Sequence, residues 1–139
     1  MTNRLTDSLN FNAQALLLRA ERQRVLASNI ANADTPNFRA QDFDFAQALS
    51  AATQSSAAAS RPVQTARTDA AHLAPAHSPA SPFLQYRVPT QGALDANTVD
   101  MDRERANFAD NAVRYEASLR FLNGQIKTLL TAINGQSQG

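Results

Sequence analysis

The residues that could do chemistry are few in this sequence, and none falls into a recognisable catalytic or metal-binding pattern. The two histidines, His72 and His77, lie in a proline-rich stretch. A zinc site needs three or four ligands at characteristic spacings, and no third ligand is found close to this pair. We therefore expect both histidines to be solvated loop residues, and we predict no metal site.

A cluster of acidic and amide side chains precedes the C-terminal third of the chain. It comprises Asp95, Asn97, Asp100, Asp102 and Glu104. The cluster lacks the central glycine and the alternating spacing of a calcium-binding loop. Asp100 is instead placed to cap the free amides of a helix, and Asp102 and Glu104 would put negative charge in its first turn. Capping thus explains most of these acids without a bound ion.

Other kinds of chemistry find no support. The chain has no cysteine and only four glycines, which excludes thiolate chemistry and disfavours a phosphate-binding glycine loop. The net charge of +1 argues against strong attraction to nucleic acid. We interpret Arg19, Arg22 and Arg24 as a solvated helix face or as partners of acidic neighbours. The sequence therefore predicts a protein that is not an enzyme, holds no cofactor and binds no nucleic acid.

The elements that dominate the sequence are two long helical stretches at its ends. The first is predicted from about Leu5 to Ala33, with heptad spacing typical of a coiled-coil seam. The seam comprises Leu9, Ala13, Leu16, Ala20, Gln23, Ala27 and Ile30. Its alanines would allow a partner helix to approach closely. Leu18, Val25 and Leu26 lie off the seam, and we expect other chains to cover them, although an amphipathic helix in a monomeric bundle is an alternative.

The second helix is predicted from about Asp100 to Asn134. One heptad row comprises Met101, Phe108, Tyr115, Leu122 and Leu129, and the other comprises Arg105, Ala112, Leu119, Ile126 and Ile133. Two ion pairs four residues apart, Asp110 with Arg114 and Glu116 with Arg120, suit a solvated face. Gln23 and Arg105 interrupt their seams, and we expect them to face a channel or a neighbouring subunit.

The segment between the helices is rich in proline, alanine and serine. We expect the first helix to end near Asn32 or Ala33, with Asn32 suited to a left-handed C-terminal position. An extended segment from Arg39 to Phe45 would then lie against a helix. We interpret 46–60 as a mobile linker, with a weak short helix to about Leu49 as an alternative. We also predict a short hairpin between the strand candidates Pro62–Arg67 and Leu84–Val88.

The N-terminus does not read as a secretory signal, because the apolar run Leu16–Leu18 is too short and arginines follow it. No stretch approaches the roughly 20 apolar residues of a membrane span. We therefore expect no cleaved signal and no direct membrane span. If the protein leaves the cytoplasm, another route must carry it.

The end of the first helix resembles the N-terminal motif of the bacterial flagellar rod and hook proteins, A-x-N-[IL]-A-N-x-[DN]-T-P-[GN]-[YF]. The matching residues are Ala27, Asn29, Ile30, Ala31, Asn32, Asp34, Thr35, Pro36, Asn37 and Phe38. The stretch from Tyr86 to Pro89, followed by Leu94 to Tyr115, is similar to the proximal-rod members of that family. The two resemblances together span roughly two thirds of the chain, and 46–60 and 72–82 do not contribute to them.

The resemblance implies a structural subunit that polymerises helically into the flagellar rod. It implies export in the unfolded state by the flagellar type III apparatus, and a location in the basal body, where the rod crosses the periplasm. The implied partners are other copies of the chain, other rod proteins, and the rod adaptor and membrane ring at the rod base. The terminal helices of successive subunits would pack as an inner tube around the export channel.

The predicted fold is mainly α, with two long terminal helices that form a coiled-coil hairpin around a middle region holding a short β-hairpin. The predicted divisions are 1–33, 34–99, 100–134 and a tail at 135–139. The residues expected to carry helix packing and assembly are Leu9, Leu16, Ile30, Phe108, Ala112, Tyr115, Leu119, Leu122, Ile126, Leu129 and Ile133. The alternatives are another rod subunit, or a soluble helical adaptor or export chaperone.

Overall fold

The computed structural model describes residues 2–57, 83–88 and 96–135. In these ranges the protein is mainly helical with one small sheet, in agreement with the predicted class. The helices are α1 (Thr2–Ala31), α2 (Phe45–Ala57) and α3 (Met101–Gly135). The strands are β1 (Gln41–Asp42) and β2 (Gln85–Tyr86), which pair in antiparallel fashion with Gln41 opposite Tyr86. The predicted division of the chain into 1–33, 34–99, 100–134 and 135–139 stays a prediction.

The two long helices, α1 and α3, pack against each other in antiparallel directions. Near the start of α1, Asn12 donates a 2.9 Å hydrogen bond to Gln125 in the second half of α3. Near the end of α1, Asn29 donates a 3.0 Å hydrogen bond to Glu104 in the first turns of α3. Because the pairing partners run in opposite order along the two helices, α1 and α3 form a hairpin.

Helix α2 corrects the prediction that 46–60 is a mobile linker, because residues up to Ala57 are helical. The Asp44 carboxylate accepts a 3.0 Å hydrogen bond from the backbone N–H of Gln47, which caps the helix start. An acidic cap followed three residues later by glutamine is the pattern of a capping box. Ala48 is fully buried, so the helix docks through a small residue.

A compact apolar cluster lies between α1, α2 and the segment that joins them. Leu18, Phe43 and Ala48 are its buried members, and Val25, Phe45, Leu49, Ala52, Phe83 and Leu84 pack against them. The expectation that other chains cover Leu18, Val25 and Leu26 was therefore wrong: Leu18 and Leu26 are fully buried within this chain. The extended segment expected at 39–45 does place Phe43 against a helix, but it ends at Asp44, where α2 is capped.

The small sheet differs from the predicted hairpin. We expected Leu84–Val88 to pair with Pro62–Arg67, whereas β2 pairs with β1. The segment Pro62–Arg67 lies outside the described residues, as do His72 and His77. β1 can pair with β2 because the turn after α1 brings residues 41–42 next to residues 85–86. Strand periodicity does not encode this tertiary arrangement.

The left-handed backbone conformation lies beyond α1 and not at Asn32. Asn37 has φ of 61° and Ala96 has φ of 58°, and they are the non-glycine residues with positive φ in the described part of the chain. Asparagine is tolerated in this region, whereas alanine is uncommon there. The end of α1 at Ala31 lies within two residues of the predicted end, but the left-handed conformation expected of Asn32 is found at Asn37.

No helix within 2–57, 83–88 or 96–135 combines the length and the apolar character that crossing a bilayer demands.

Candidate functional site

The residues that end α1 form the centre of the candidate site, and Asn29 is its hub. The Asn29 side-chain amide donates to the Gln41 carbonyl at 2.7 Å and to Glu104 Oε2 at 3.0 Å. Its oxygen accepts from the Gln41 N–H at 3.1 Å. Asn29 is 1% exposed, so these bonds form away from water. One side chain thereby joins the end of α1, the strand β1 and the start of α3.

The turn after α1 is held by Asn97, a residue of the segment that leads into α3. The Asn97 amide donates to the carbonyls of Asn32, Ala33 and Thr35 at 3.1, 2.7 and 2.9 Å. These carbonyls have left the regular helix and need other donors. We call this turn, residues 32–38, the motif turn. It is stabilised by a residue more than sixty positions further along the chain, and Asn97 therefore does more than cap a helix.

Further bonds continue this attachment along the chain. The Thr98 N–H donates to the Phe38 carbonyl at 3.1 Å, and the Thr98 hydroxyl accepts from the Ala40 N–H at 2.8 Å. The Arg87 N–H donates to the Ala40 carbonyl at 2.9 Å. The path of 38–42 is thus determined by the backbone and side chains of segments that lie more than forty residues away in sequence.

Beside Asn29 lies a network of four charged residues that we call the ionic clasp: Arg22, Asp42, Arg87 and Glu104. Arg22 donates two bonds to Asp42, from Nε at 3.1 Å and from Nη2 at 3.0 Å. Arg87 donates from Nη2 to Asp42 and from Nη1 to Glu104. Two arginines and two carboxylates leave the clasp with no formal net charge.

The pKa values of the clasp follow from this arrangement. Burial raises the pKa of Asp42, but the hydrogen bonds from Arg22 and Arg87 outweigh burial, and the pKa lies below its ordinary value. The pKa of Arg22 is raised, chiefly by its hydrogen bonds with Asp42. Both groups therefore stay charged at neutral pH.

The contact between α1 and α3 is polar at several levels. Asn111 is 1% exposed and donates to the Arg19 carbonyl at 2.9 Å and to Gln23 Oε1 at 2.7 Å. Gln23 thus bonds α3 of its own chain and also lines a groove between the two helices, so the expectation that it faces a channel or a neighbour stays a prediction. Arg105, the other interruption of a seam, is exposed.

Two of the three arginines singled out on α1 pair with acidic neighbours, as one interpretation expected. Arg22 pairs with Asp42, and Arg24 pairs with Glu21 at 3.3 Å. The Arg19 guanidinium stacks over the Phe45 ring at 4.3 Å from the centroid. Burial lowers the pKa of Arg19, and Arg114 nearby adds to the effect.

The residues predicted to carry helix packing fall into two groups in the structure. A half-buried group comprises Leu9, Leu16 and Ile30 of α1 and Phe108, Ala112, Tyr115, Leu122 and Leu129 of α3. An exposed group comprises Leu119, Ile126 and Ile133 of α3, and Leu130 is exposed as well. The role of both groups in helix packing and assembly stays a prediction.

A shallow apolar groove lies between the two helices, beside residues 108–115 of α3. Its walls are small on the α1 side, where Ala20 and Ala27 line it, and aromatic on the α3 side, where Phe108 and Tyr115 line it. Ala27 belongs to the family motif. Four further motif residues, Ala31, Asp34, Thr35 and Pro36, are exposed. The groove is open, so it could receive a further helix that presents small side chains.

Sequence reasoning missed the clasp altogether. Arg87 was interpreted as the polar face of a strand, and Glu104 as a charge in a helix first turn, where its burial was not foreseen. The four residues of the clasp are spread from position 22 to position 104, so no local sequence pattern indicates that they pair. In contrast, the capping box at Asp44 and Gln47 was visible and would have revealed α2. Among the described residues, no group of three or more side chains is arranged to hold a metal ion.

Comparisons with known proteins agree with the resemblance. The family model described as "Flagella basal body rod protein" matches residues 9–39. This match contains most of α1 and the whole motif turn.

Curated relatives match over nearly the full length. The chain is 48% identical to flagellar basal body rod protein FlgB of Escherichia coli K12, over 96% of this chain and 97% of the relative. It is 46% identical to FlgB of Yersinia enterocolitica, over 96% of this chain and 98% of the relative. It is 45% identical to FlgB of Salmonella typhimurium, over 97% and 99%.

Proposed function

The chain belongs to the FlgB family of flagellar basal body rod proteins, structural components of the flagellum, and we propose that it polymerises helically into the proximal rod. In this role it transmits torque and encloses the export channel, and it catalyses no reaction. Its terminal helices supply the contacts between subunits. Its partners are further copies of itself, other rod proteins, the adaptor and ring at the rod base, and the type III export apparatus.

The observation that carries this proposal is the exposed apolar row of α3. Within the row, Leu119, Ile126, Leu130 and Ile133 are 37%, 42%, 54% and 58% exposed. The α1–α3 contact uses a neighbouring row in which Glu104, Asn111 and Gln125 bond α1. Because polar residues serve the contact inside the subunit, the apolar row is left for contacts between subunits.

The groove between α1 and α3 supplies a second surface of the right kind. A groove with alanine walls admits a close helix, as a coiled-coil inner tube requires. The groove lies beside residues 108–115 of α3, whereas the exposed row runs from Leu119 to Ile133, so pairing of the row of one copy with the groove of another would be head-to-tail. Such contacts generate open helical polymers when the rotation does not close a ring.

The helix pair and the motif turn of such a subunit would then serve different purposes. The helices would stack along the rod and resist shear, because their staggered side chains interlock over a length of about 45–50 Å. The motif turn and the segment after it would lead the chain away from the tube. Torque transmission follows from the stiffness of the stacked helices.

The test is a charge in the exposed row. Ile126→Asp should abolish rod assembly, because burying an unpaired carboxylate in an apolar contact costs several kcal/mol. The substitution should leave the isolated subunit folded, since Ile126 is outside its core. The measurement is the recovery of the chain in purified basal bodies of a strain that lacks the native copy, together with swimming motility.

Thr128→Asp is the matched control. Thr128 is exposed two residues further along α3, on a different side of the helix, and bonds only to the backbone of its own helix. This variant should assemble normally, and both variants should be exported at equal levels. Normal motility with Ile126→Asp would contradict the assembly role of the row. A chain that stays in the cytoplasm and never sediments with basal bodies would favour an adaptor.

A further inference from the structure

We propose that the ionic clasp fixes where the strand pair β1–β2 lies against α1 and α3, with Arg87 as the positioning residue. This inference goes beyond the proposed function, which rests on the helices alone. It concerns the strand pair β1–β2, the end of α1 and the start of α3. It assigns to a charge network, beside the apolar packing of Phe43, Phe83 and Leu84, the positioning of these strands.

The clasp joins four separate elements through three ion pairs. Arg22 belongs to α1, Asp42 to β1 and Glu104 to α3, while Arg87 directly follows β2. Arg87 lies between the two carboxylates and uses a different nitrogen for each. Asn29 donates a hydrogen bond to Oε2 of Glu104, and Arg87 donates one to Oε1 of the same side chain. The clasp is therefore continuous with the motif turn.

Arg87 is also the inward-facing residue of its segment. Phe83 and Leu84 pack on the apolar cluster, but Gln85, Tyr86 and Val88 are exposed. The Arg87 side chain is 13% exposed, and its partner Glu104 is 1% exposed. Beyond Leu84, therefore, the attachment of this segment to the helices depends on Arg87 and on the backbone bonds around it.

The geometry requires arginine at this position. The planar guanidinium presents several N–H groups at fixed angles and can bridge two carboxylates at once. A lysine offers one nitrogen on a flexible stem, so it would serve Asp42 or Glu104 and leave the other poorly paired. Because Glu104 is buried, the loss of its charged partner leaves a charge without compensation.

The experiment uses the full-length chain as a monomer and follows amide hydrogen exchange by NMR. The reporter amides are Gln41 and Arg87, which donate to Asn29 and to Ala40 across the junction. Arg87→Met and Arg87→Lys should each lower the protection of both amides by roughly a hundredfold. Far-ultraviolet circular dichroism should show that α1 and α3 remain helical in both variants.

The matched control is Arg120, which pairs with Glu116 on the exposed face of α3. Arg120→Met and Arg120→Lys should leave the protection at Gln41 and Arg87 unchanged, because exposed pairs contribute little. Glu104→Gln keeps the shape of the side chain and removes its charge. Combined with Arg87→Met, it should give a strongly non-additive effect, at least about tenfold in protection, as expected for direct partners.

Three results would overturn the inference. One is protection in Arg87→Lys equal to that of the parent chain, since any cation would then suffice. Another is an additive effect of Glu104→Gln and Arg87→Met. The third is an absence of protection at Gln41 and Arg87 in the parent monomer. Ile126→Asp should not change these exchange rates, so failure of the assembly proposal and failure of the clasp proposal are distinguishable.

Discussion

At the scale of single residues, the interior of this subunit is unusually dependent on polar side chains. Asn29, Glu104 and Asn111 are each 1% exposed, a level usual for leucine or isoleucine in a core. Buried polar groups stabilise a fold only while their hydrogen-bond partners are present. The junction between the helices and the middle segment is therefore specific in geometry and sensitive to the loss of any partner.

The pH dependence of stability should report on Asp42. Its pKa in the folded state is below the ordinary value of 3.8, so its ion pairs stabilise the fold at all higher pH values. This contribution should be lost as the pH falls from about 4 through the lower folded-state pKa. The measurement is the free energy of unfolding by urea between pH 7 and pH 2.5.

Two variants separate Asp42 from the other carboxylates. Asp42→Asn should be less stable at pH 7 and should lose less stability on acidification than the parent chain. Asp7→Asn, which replaces an exposed carboxylate of α1, should keep the parent pH dependence. An unchanged acid response in Asp42→Asn would show that the clasp does not contribute to it.

At the scale of elements, α2 is what turns a helix pair into a small folded unit. It contributes Ala48 and the half-buried Leu49 and Ala52 to the cluster around Leu18 and Phe43. Its own sequence is poor in large apolar residues, so its stability as a helix comes from docking. The cap at Asp44 fixes where it begins.

A charge on the docked face of α2 should therefore separate it from α1. Ala48→Glu buries a carboxylate where the side chain is fully enclosed, and should lower the free energy of unfolding by several kcal/mol. Ala46→Glu is the control, because Ala46 is exposed in the first turn, where negative charge is favourable. Urea unfolding followed by circular dichroism measures both. Equal stability of the two variants would contradict the docking of α2.

At the scale of the whole molecule, the two ends of the helix pair differ in how much of the chain covers them. The buried residues of α3 are Glu104 and Asn111, both in its first half. The cluster with α2 and the sheet covers the end of α1 that lies beside that half. The second half of α3 has α1 on one flank and an exposed apolar row on the other.

Hydrogen exchange of the isolated subunit should follow this gradient. Amides of 104–115 should be protected more strongly than those of 126–135, because local opening is easiest where few buried contacts form. For the same reason, residues 18–29 of α1, which lie beside the cluster and the clasp, should be protected. In an assembled rod the amides of 126–135 should become protected, and equal protection along α3 in the monomer would contradict the gradient.

The sequence alone determined the two long helices, the pairs Asp110–Arg114 and Glu116–Arg120, and the cap at Asp100, since these depend on residues within one or two helical turns. Its motif at the end of α1 also led to the family. Tertiary structure alone decided which row of α3 meets α1, which strand pairs with β2, and that Arg22, Asp42, Arg87 and Glu104 converge. These contacts join residues far apart in the chain, and their partners are chosen by how the helices and the turn between them bring segments together. Periodicity identified the apolar rows of α3, but it did not show that the polar residues Glu104, Asn111 and Gln125 beside them bond α1 within the subunit.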